Sequence, residues 1–261
     1  MVRGSQTGEY IDPMFSALLK RISAAVPSQC EICHAWPSQS VCQDCINRFG
    51  QPLLRCQTCA LKVPGGRVPQ AEAPAADSPL DFYRCGACIT HPTALSLCLA
   101  AVSYEYPWAV VISQFKFHGR PAWAAQMAHV MRSNLAVQPA LDSADVVIPM
   151  PLSGARLRAR GYNQALVLAR ALSATKLDSN LLIRIRETPA QSLLDREDRL
   201  RAMTDAFAVE PLLAHRLRGK RVVLVDDVMT TGATLQGAAT ALRRAGASHI
   251  TGLVFARTEV D

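Results

Sequence analysis

The stretch Val222–Leu235, VVLVDDVMTTGATL, constrains the fold of this chain more than any other. Val222, Val223, Leu224 and Val225 form a short, continuous apolar run rich in β-branched residues. Such a run reads as a strand covered on both faces, the condition met in a parallel sheet. Two adjacent carboxylates, Asp226 and Asp227, follow at its carboxyl end. A small-residue loop, Thr230-Thr231-Gly232-Ala233-Thr234, then opens onto a helix expected over Leu235–Arg244 and stopped at Gly246.

The order of these parts carries chemistry. Ligands of open α/β sheets bind beyond the carboxyl ends of the strands. A glycine-containing loop leading into a helix directs backbone N–H groups and the positive end of the helix dipole at an anion. The threonines add hydroxyl donors. The two carboxylates can accept hydrogen bonds from vicinal hydroxyls or hold a divalent cation through water. A phosphate site beside a diol site describes a ribose 5-phosphate. The plainer alternative is a buried strand, an Asp turn and a capped helix with no ligand. A Walker-type nucleotide site is disfavoured, because G-x-x-x-x-G-K-[ST] occurs nowhere in the chain. The segment resembles the phosphoribosyl-pyrophosphate (PRPP) signature of type I phosphoribosyltransferases: four apolar residues, two acids and a T-T-G-x-T turn.

With 261 residues, the chain has room for one large domain or two modest ones. Its 49% hydrophobic and 19% charged residues are ordinary for a globular protein. No apolar run approaches the roughly 18–20 residues of a membrane span, so no membrane insertion is expected. Met1–Tyr10 is polar and Met14–Val26 reads as a short amphipathic helix, which is no signal-peptide pattern. The expectation is a cytoplasmic protein. The formal charge of +7 suits phosphate-rich ligands or nucleic acid, and taken alone supports DNA binding only weakly.

Eight of the nine cysteines fall in four C-x-x-C pairs: Cys30/Cys33, Cys42/Cys45, Cys56/Cys59 and Cys85/Cys88. In a cytoplasmic chain this density argues for metal over disulfides. Each knuckle presents two thiolates, and two knuckles complete a tetrahedral S₄ site for zinc, which makes two structural Zn²⁺ sites. A redox C-x-x-C usually occurs once, beside a βαβ pattern. Pairing is open at this level: the first knuckle can join the second, or interleave with the third. A segment so short and poor in core residues depends on metal, which supplies on the order of 10–16 kcal/mol in finger peptides. His34 and His91 adjoin knuckles and read as surface residues, and Cys98 reads as a buried residue in a strand. The Pro/Ala-rich stretch Pro64–Pro79 reads as a mobile insert.

Beyond Cys88 the pattern alternates. Strands are expected at Ser96–Tyr106, Asp145–Pro149, Leu181–Ile185, Val222–Val225 and His249–Phe255. Helices are expected over Trp108–Phe117, Pro121–Leu135 and Asn163–Leu172, the last capped by Asn163 with Leu166, Ala169 and Leu172 on its apolar face. This order implies a parallel α/β sheet. Met150 and Pro151 make a stiff turn after the second strand, followed by Arg156, Arg158 and Arg160 at two-residue spacing. Arginines after a strand end can clamp phosphate, or simply face solvent as a basic loop. Thr188–Ala206, dense in both charges, reads as a long mobile loop.

Four knuckles, then FKFHG, then P-M-P-L-x₄-R-x₃-R-G-Y-N-Q-A, then Q-x-x-L-x₄-R, then VDDVMTTGAT resemble the ComF (ComFC/GntX-like) family across roughly residues 28–257. These are competence-associated, phosphoribosyltransferase-like proteins with an amino-terminal double zinc ribbon. The resemblance implies an α/β fold with a type I phosphoribosyltransferase-like parallel sheet flanked by helices. It implies an N-terminal helical segment over 1–27, a double zinc ribbon over 28–93 with its insert at 64–79, and the phosphoribosyltransferase-like domain over 94–261. Asp226 and Asp227 would hold the ribose hydroxyls, directly or through Mg²⁺, with Asp227 the candidate base if one is needed. Thr230, Thr231, Gly232, Ala233 and Thr234 would bind the 5-phosphate. Met150 and Pro151, with Arg156 and Arg160, would face pyrophosphate, and Gln191 and Arg199 would come from a hood. Leu193 and Ala202 stand where the family often has Gly and Asn, which bears on the hood's contacts. Two functions follow: a Mg²⁺-dependent transferase acting from PRPP on an unidentified acceptor, or a non-catalytic module for DNA uptake. The second would engage single-stranded DNA, a competence helicase or other uptake proteins.

Overall fold

The computed structural model describes residues 29–36, 40–67, 83–91, 93–186 and 206–259. The expected helix at Met14–Val26, the hood residues Gln191, Leu193, Arg199 and Ala202, and most of the expected loops at 64–79 and 188–206 lie outside these residues. The chain divides into two units, Met1–Ile46 and Asn47–Asp261.

The described part of the first unit is the knuckle pair Cys30/Cys33 and Cys42/Cys45, running into helix α1 (Gln43–Phe49). The second unit opens with an antiparallel pair, β1 (Leu53–Arg55) and β2 (Lys62–Arg67). Residues 64–67 therefore belong to a strand, a departure from the loop expected from Pro64 onward. The Cys56/Cys59 knuckle is the turn between β1 and β2, so the same chain reversal that forms the knuckle also pairs the strands. A short helix, α2 (Gly86–Thr90), carries Cys88.

The main sheet is built from β3 (Leu97–Ser103), β4 (Val146–Pro149), β7 (Arg221–Met229) and β8 (His249–Arg257), all parallel, in the order β3-β8-β7-β4. The segment from β3 to β4 runs through α3 (Trp108–Phe117), α4 (Trp123–Arg132) and α5 (Val137–Ser143). From β4 to β7 it runs through α6 (Gly154–Arg160), α7 (Gln164–Leu172) and the small antiparallel pair β5 (Leu182–Arg184) and β6 (Phe207–Val209). A 3₁₀ turn at Pro211–Leu217 precedes β7, and α8 (Ala233–Arg244) joins β7 to β8.

Val222–Val225 are at most 1% exposed, and Leu253–Ala256 of β8 are fully buried. Helices on both faces explain that burial and the absence of alternation in these strands. The α/β class with a parallel sheet is thus as expected. In α7 the buried apolar residues are Ala165, Leu168, Ala169 and Leu172, while Leu166 is half-buried. The apolar face is therefore rotated from the one expected, because Gln164 at the start of the helix points inward and takes part in the site. β4 and β7 are register neighbours, Pro149 beside Val225, so their carboxyl ends open onto the same crevice.

Candidate functional site

Strand β7 runs further than the sequence suggests. Its ladder with β8 continues through Asp226 beside Val254 to Met229 beside Arg257. Asp226 and Asp227 therefore sit within the strand and not after it, because pairing with β8 extends the strand past its apolar run. Asp226 is half-buried and Asp227 is 6% exposed. The Asp226 Oδ1 accepts the Asp227 N–H at 2.9 Å, which fixes the first carboxylate against the backbone. The loop Thr230–Gly232 turns the chain into α8. Gly232 has φ +80°, where a side chain would be strained, and a Cβ there would lie 2.4 Å from Met229 Cε and so displace the end of that side chain. Gly232 is the N-cap and supplies no side-chain cap, while the Thr231 hydroxyl accepts the Ala233 N–H at 3.4 Å. The first turn of α8 has no acidic residue. That suits an anion at its N-terminus.

Across the crevice, the arginines after β4 form a helix, not the loop that their two-residue spacing suggests. Ser153 caps α6 by accepting the Arg156 N–H at 3.4 Å, and Gly161, in the left-handed region, ends it. Arg156 and Arg160 are one helical turn apart and share a face. Both line a cleft of about 390 Å³ together with Met150, Pro151, Asp226 and Asp227; Thr230 and Thr234 complete its far wall. Arg158 lies off this face and is exposed. Asn163 ties the two sides together: its Oδ1 accepts the Leu166 N–H at 3.3 Å and its Nδ2 donates to the Met150 carbonyl at 3.0 Å. Asn163→Ala should cost about 1–2 kcal/mol, read as a lower urea midpoint with unchanged slope.

The cleft contains cationic and polar groups that the sequence motifs did not assign. Lys116, from the end of α3, places Nζ 2.9 Å from Asp227 Oδ1, with both side chains largely buried. Gln164, 1% exposed, accepts from Arg160 Nη1 at 3.1 Å through Oε1, and its Nε2 finds no protein partner among the described residues. Arg184 of β5 also lines the cleft and stacks over the Phe207 ring. Lys116, Arg156, Arg160 and Arg184 face the two carboxylates, a surplus of positive charge suited to a polyanion. Burial and the neighbouring Asp227 push the Asp226 carboxyl up to about 7, against the nearby Lys116 ammonium. Lys116 and Gln164 stand inside the FKFHG and R-G-Y-N-Q-A runs, so the signal for them is present in the sequence but unassigned; Arg184 has no motif.

The cysteines form two groups, Cys30/Cys33/Cys42/Cys45 and Cys56/Cys59/Cys85/Cys88, in each of which the sulfurs lie within 4.8 Å of one another. The pairing is sequential, first knuckle with second and third with fourth. Sulfur separations of 3.9 Å (Cys30–Cys45), 3.5 Å (Cys33–Cys42) and 3.7 Å (Cys59–Cys85) match the edge of about 3.8 Å of a tetrahedron with metal–sulfur bonds of about 2.3 Å. Backbone N–H groups point at the sulfurs, from Cys42 to Cys30 at 3.4 Å and from Cys85 to Cys56 at 3.3 Å. Both groups could hold zinc. His34 and His91 are exposed and outside them, and Cys98 is buried in β3.

A phosphoribosyl transferase domain model matches residues 141–259, the span from before β4 to just past the end of β8. Competence protein F of Haemophilus influenzae is 32% identical over 184 residues, covering 66% of this chain and 79% of that protein. The chain belongs to the ComF family. The DNA utilization protein YhgH of Salmonella typhimurium is 28% identical over 242 residues, 89% of this chain and 98% of that protein. Competence protein ComFC of Bacillus subtilis is 32% identical over 140 residues, 52% of this chain and 53% of that protein. This ComF chain thus carries a phosphoribosyltransferase-like domain together with two four-cysteine groups. No helix among its described residues is long and apolar enough to cross a membrane.

Proposed function

We propose that this ComF chain binds PRPP in the cleft between β4 and β7 and transfers its phosphoribosyl group to an acceptor, in a process connected with DNA uptake. The observation that carries the reading is the convergence, in one cleft, of the β7 acid pair, the two ends of the T-T-G-x-T turn, Thr230 and Thr234, and the arginine face of α6. Asp226 and Asp227 receive the ribose 2- and 3-hydroxyls. Thr230, Thr231, Gly232, Ala233 and Thr234 receive the 5-phosphate at the N-terminus of α8. Met150 and Pro151, with Arg156 and Arg160, face the pyrophosphate; the hood residues Gln191 and Arg199 expected from the sequence lie outside the described residues.

In the transfer, the bond from the anomeric carbon to pyrophosphate breaks as the acceptor's lone pair forms the new one. Positive charge builds on the ribose ring and negative charge on the departing oxygen. Arg156, Arg160 and Lys116 stabilise that departing charge in a site where they are already oriented. Asp226 and Asp227 are the residues that would hold Mg²⁺, directly or through the ribose hydroxyls, and the ion would add charge neutralisation on the departing group. Asp227 is the base expected from sequence, but its Oδ1 is already engaged by the Lys116 ammonium at 2.9 Å. Asp226, at about 7, is better matched to taking a proton from the acceptor near neutral pH. The two cysteine groups hold structural Zn²⁺, and their thiols need a reducing compartment such as the cytoplasm.

The test is pyrophosphate release from Mg²⁺–PRPP with ammonia, primary amines, nucleobases and oligonucleotide ends as acceptors. Release with one class, lost in Asp226→Asn, supports the transferase. PRPP binding with no release for any class would instead favour a sensor or scaffold in DNA uptake. That second reading draws on the names of the relatives, which concern competence and DNA utilization, and on the charge of +7. Under it, single-stranded DNA binding falls steeply with salt, and a competence helicase or other uptake protein is the partner.

A further inference from the structure

The cysteine group Cys56/Cys59/Cys85/Cys88 has an observed connection to the phosphate loop that neither metal binding nor the cleft chemistry requires. Arg257, the last residue of β8, is 2% exposed. Its Nε donates to the Cys59 carbonyl at 2.8 Å. Its Nη1 lies on the carbonyls of Met229 (3.2 Å), Thr230 and Thr258. One planar guanidinium therefore joins the metal knuckle on one side to the first residues of the phosphate loop on the other. Lysine, with a single nitrogen on a flexible stem, cannot span both.

Further contacts reinforce the same joint. Arg55 donates to the carbonyl of Ala60, the residue just after the knuckle, at 2.8 Å and pairs with Glu259, two residues beyond Arg257, at 2.7 Å. Glu259 also accepts from Ser103 Oγ at 2.8 Å and from the Lys62 N–H at 3.0 Å. The Cys98 N–H donates to the Gln57 carbonyl at 2.6 Å, which holds β3 against the same knuckle. Cys98 Sγ lies 3.6 Å from Met229 Sδ, and Met229 in turn packs under Gly232, the pivot of the loop. Knuckle, strand end and loop thus form one continuous packed and hydrogen-bonded body, the kind of physical network through which coupling passes.

We infer that Arg257 is a positioning residue through which metal held at Cys56/Cys59/Cys85/Cys88 sets the geometry of the loop 229–234. The inference rests on the phosphoribosyl reading only where it concerns PRPP affinity; the ordering of the loop is independent of it.

The test uses the full-length zinc-loaded protein, with zinc content, amide exchange of the loop and PRPP titration as readouts. Arg257→Lys keeps the charge and is expected to retain two zinc ions per chain. Its exchange at 229–234 should be about tenfold faster with β4 unchanged, and its PRPP affinity about tenfold weaker. Cys56→Ala/Cys88→Ala should lose one zinc and loosen the same amides, whereas Cys30→Ala/Cys45→Ala should lose one zinc and leave them protected. Should the first cysteine variant fail to fold, Arg257→Lys still decides. Unchanged loop exchange in Arg257→Lys, or equal loosening from loss of either zinc, would overturn the inference. A wild type that binds no PRPP, with the exchange pattern as expected, would remove the phosphoribosyl reading and leave the positioning role standing.

Discussion

Asp226→Asn is expected to be more stable than the wild type at pH 8 while losing its affinity for PRPP. Burial and the adjacent Asp227 push the Asp226 carboxyl up to about 7 in the folded chain, from an ordinary value of 3.8. The sign follows from that direction. Below about pH 4 the carboxyl is protonated in both states and carries no penalty. As the pH rises from about 4 to 7 the unfolded chain releases a proton that the folded chain retains, and stability falls. Above about 7 the penalty is constant. Asparagine carries none of it, and its Oδ1 can still accept the Asp227 N–H. The stability difference between the variant and the wild type should be roughly 2 kcal/mol larger at pH 8 than at pH 5. Urea denaturation at the two pH values measures it. A difference that does not change with pH would mean that Asp226 ionises as an ordinary surface carboxylate. A residue that costs stability and is needed for ligand is what a binding site, as opposed to a structural strand end, should contain.

Lys116→Met should act in the opposite direction. The ammonium lies 2.9 Å from Asp227 Oδ1, and the side chains are 17% and 8% exposed. Removing it leaves two adjacent carboxylates in a largely buried setting, at a cost on the order of 3–5 kcal/mol at pH 8. The cost should shrink at about pH 5.5, where Asp226, pushed up to about 7, is protonated and Asp227 no longer faces a second buried charge. Adding Asp227→Asn should recover a large part of the loss, because the charge that Lys116 neutralises is then gone. A Lys116→Met protein within about 0.5 kcal/mol of the wild type at pH 8 would show that the pair contributes little to stability. The same variant should bind PRPP more weakly, since the cleft loses one of the four cations that line it among the described residues.

Much of this is legible in the sequence where one local pattern has one physical outcome. The continuous apolar run at Val222–Val225 is best covered on both faces in a parallel sheet, and the structure has that sheet. The knuckles announce metal by their spacing, but their pairing depends on where the chain between Cys59 and Cys85 returns, which spacing does not encode. The length of β7 is hidden because Asp226 and Asp227 are poor strand formers held in place by pairing with β8. The α6 helix is hidden because GARLRAR has no apolar stripe; Ser153 and Gly161 define it from its ends. Once it is a helix, Arg156 and Arg160 fall on one face and Arg158 does not. Lys116 stands in the FKFHG run, but its pairing is hidden, since its partner Asp227 lies far along the chain and meets it only when α3 reaches the end of the sheet. Arg257 is hidden for a similar reason: a charged residue ending a strand reads as exposed until the cysteine knuckle covers it.

The measurement that bears most directly on the central claim is calorimetric titration of PRPP into the zinc-loaded protein, with and without Mg²⁺, beside Asp226→Asn/Asp227→Asn. The account predicts Mg²⁺-dependent binding in the micromolar range by the wild type and none by the double variant. No heat of binding in a folded, zinc-loaded wild type would contradict it, and would leave a phosphoribosyltransferase fold whose work is done elsewhere on the molecule.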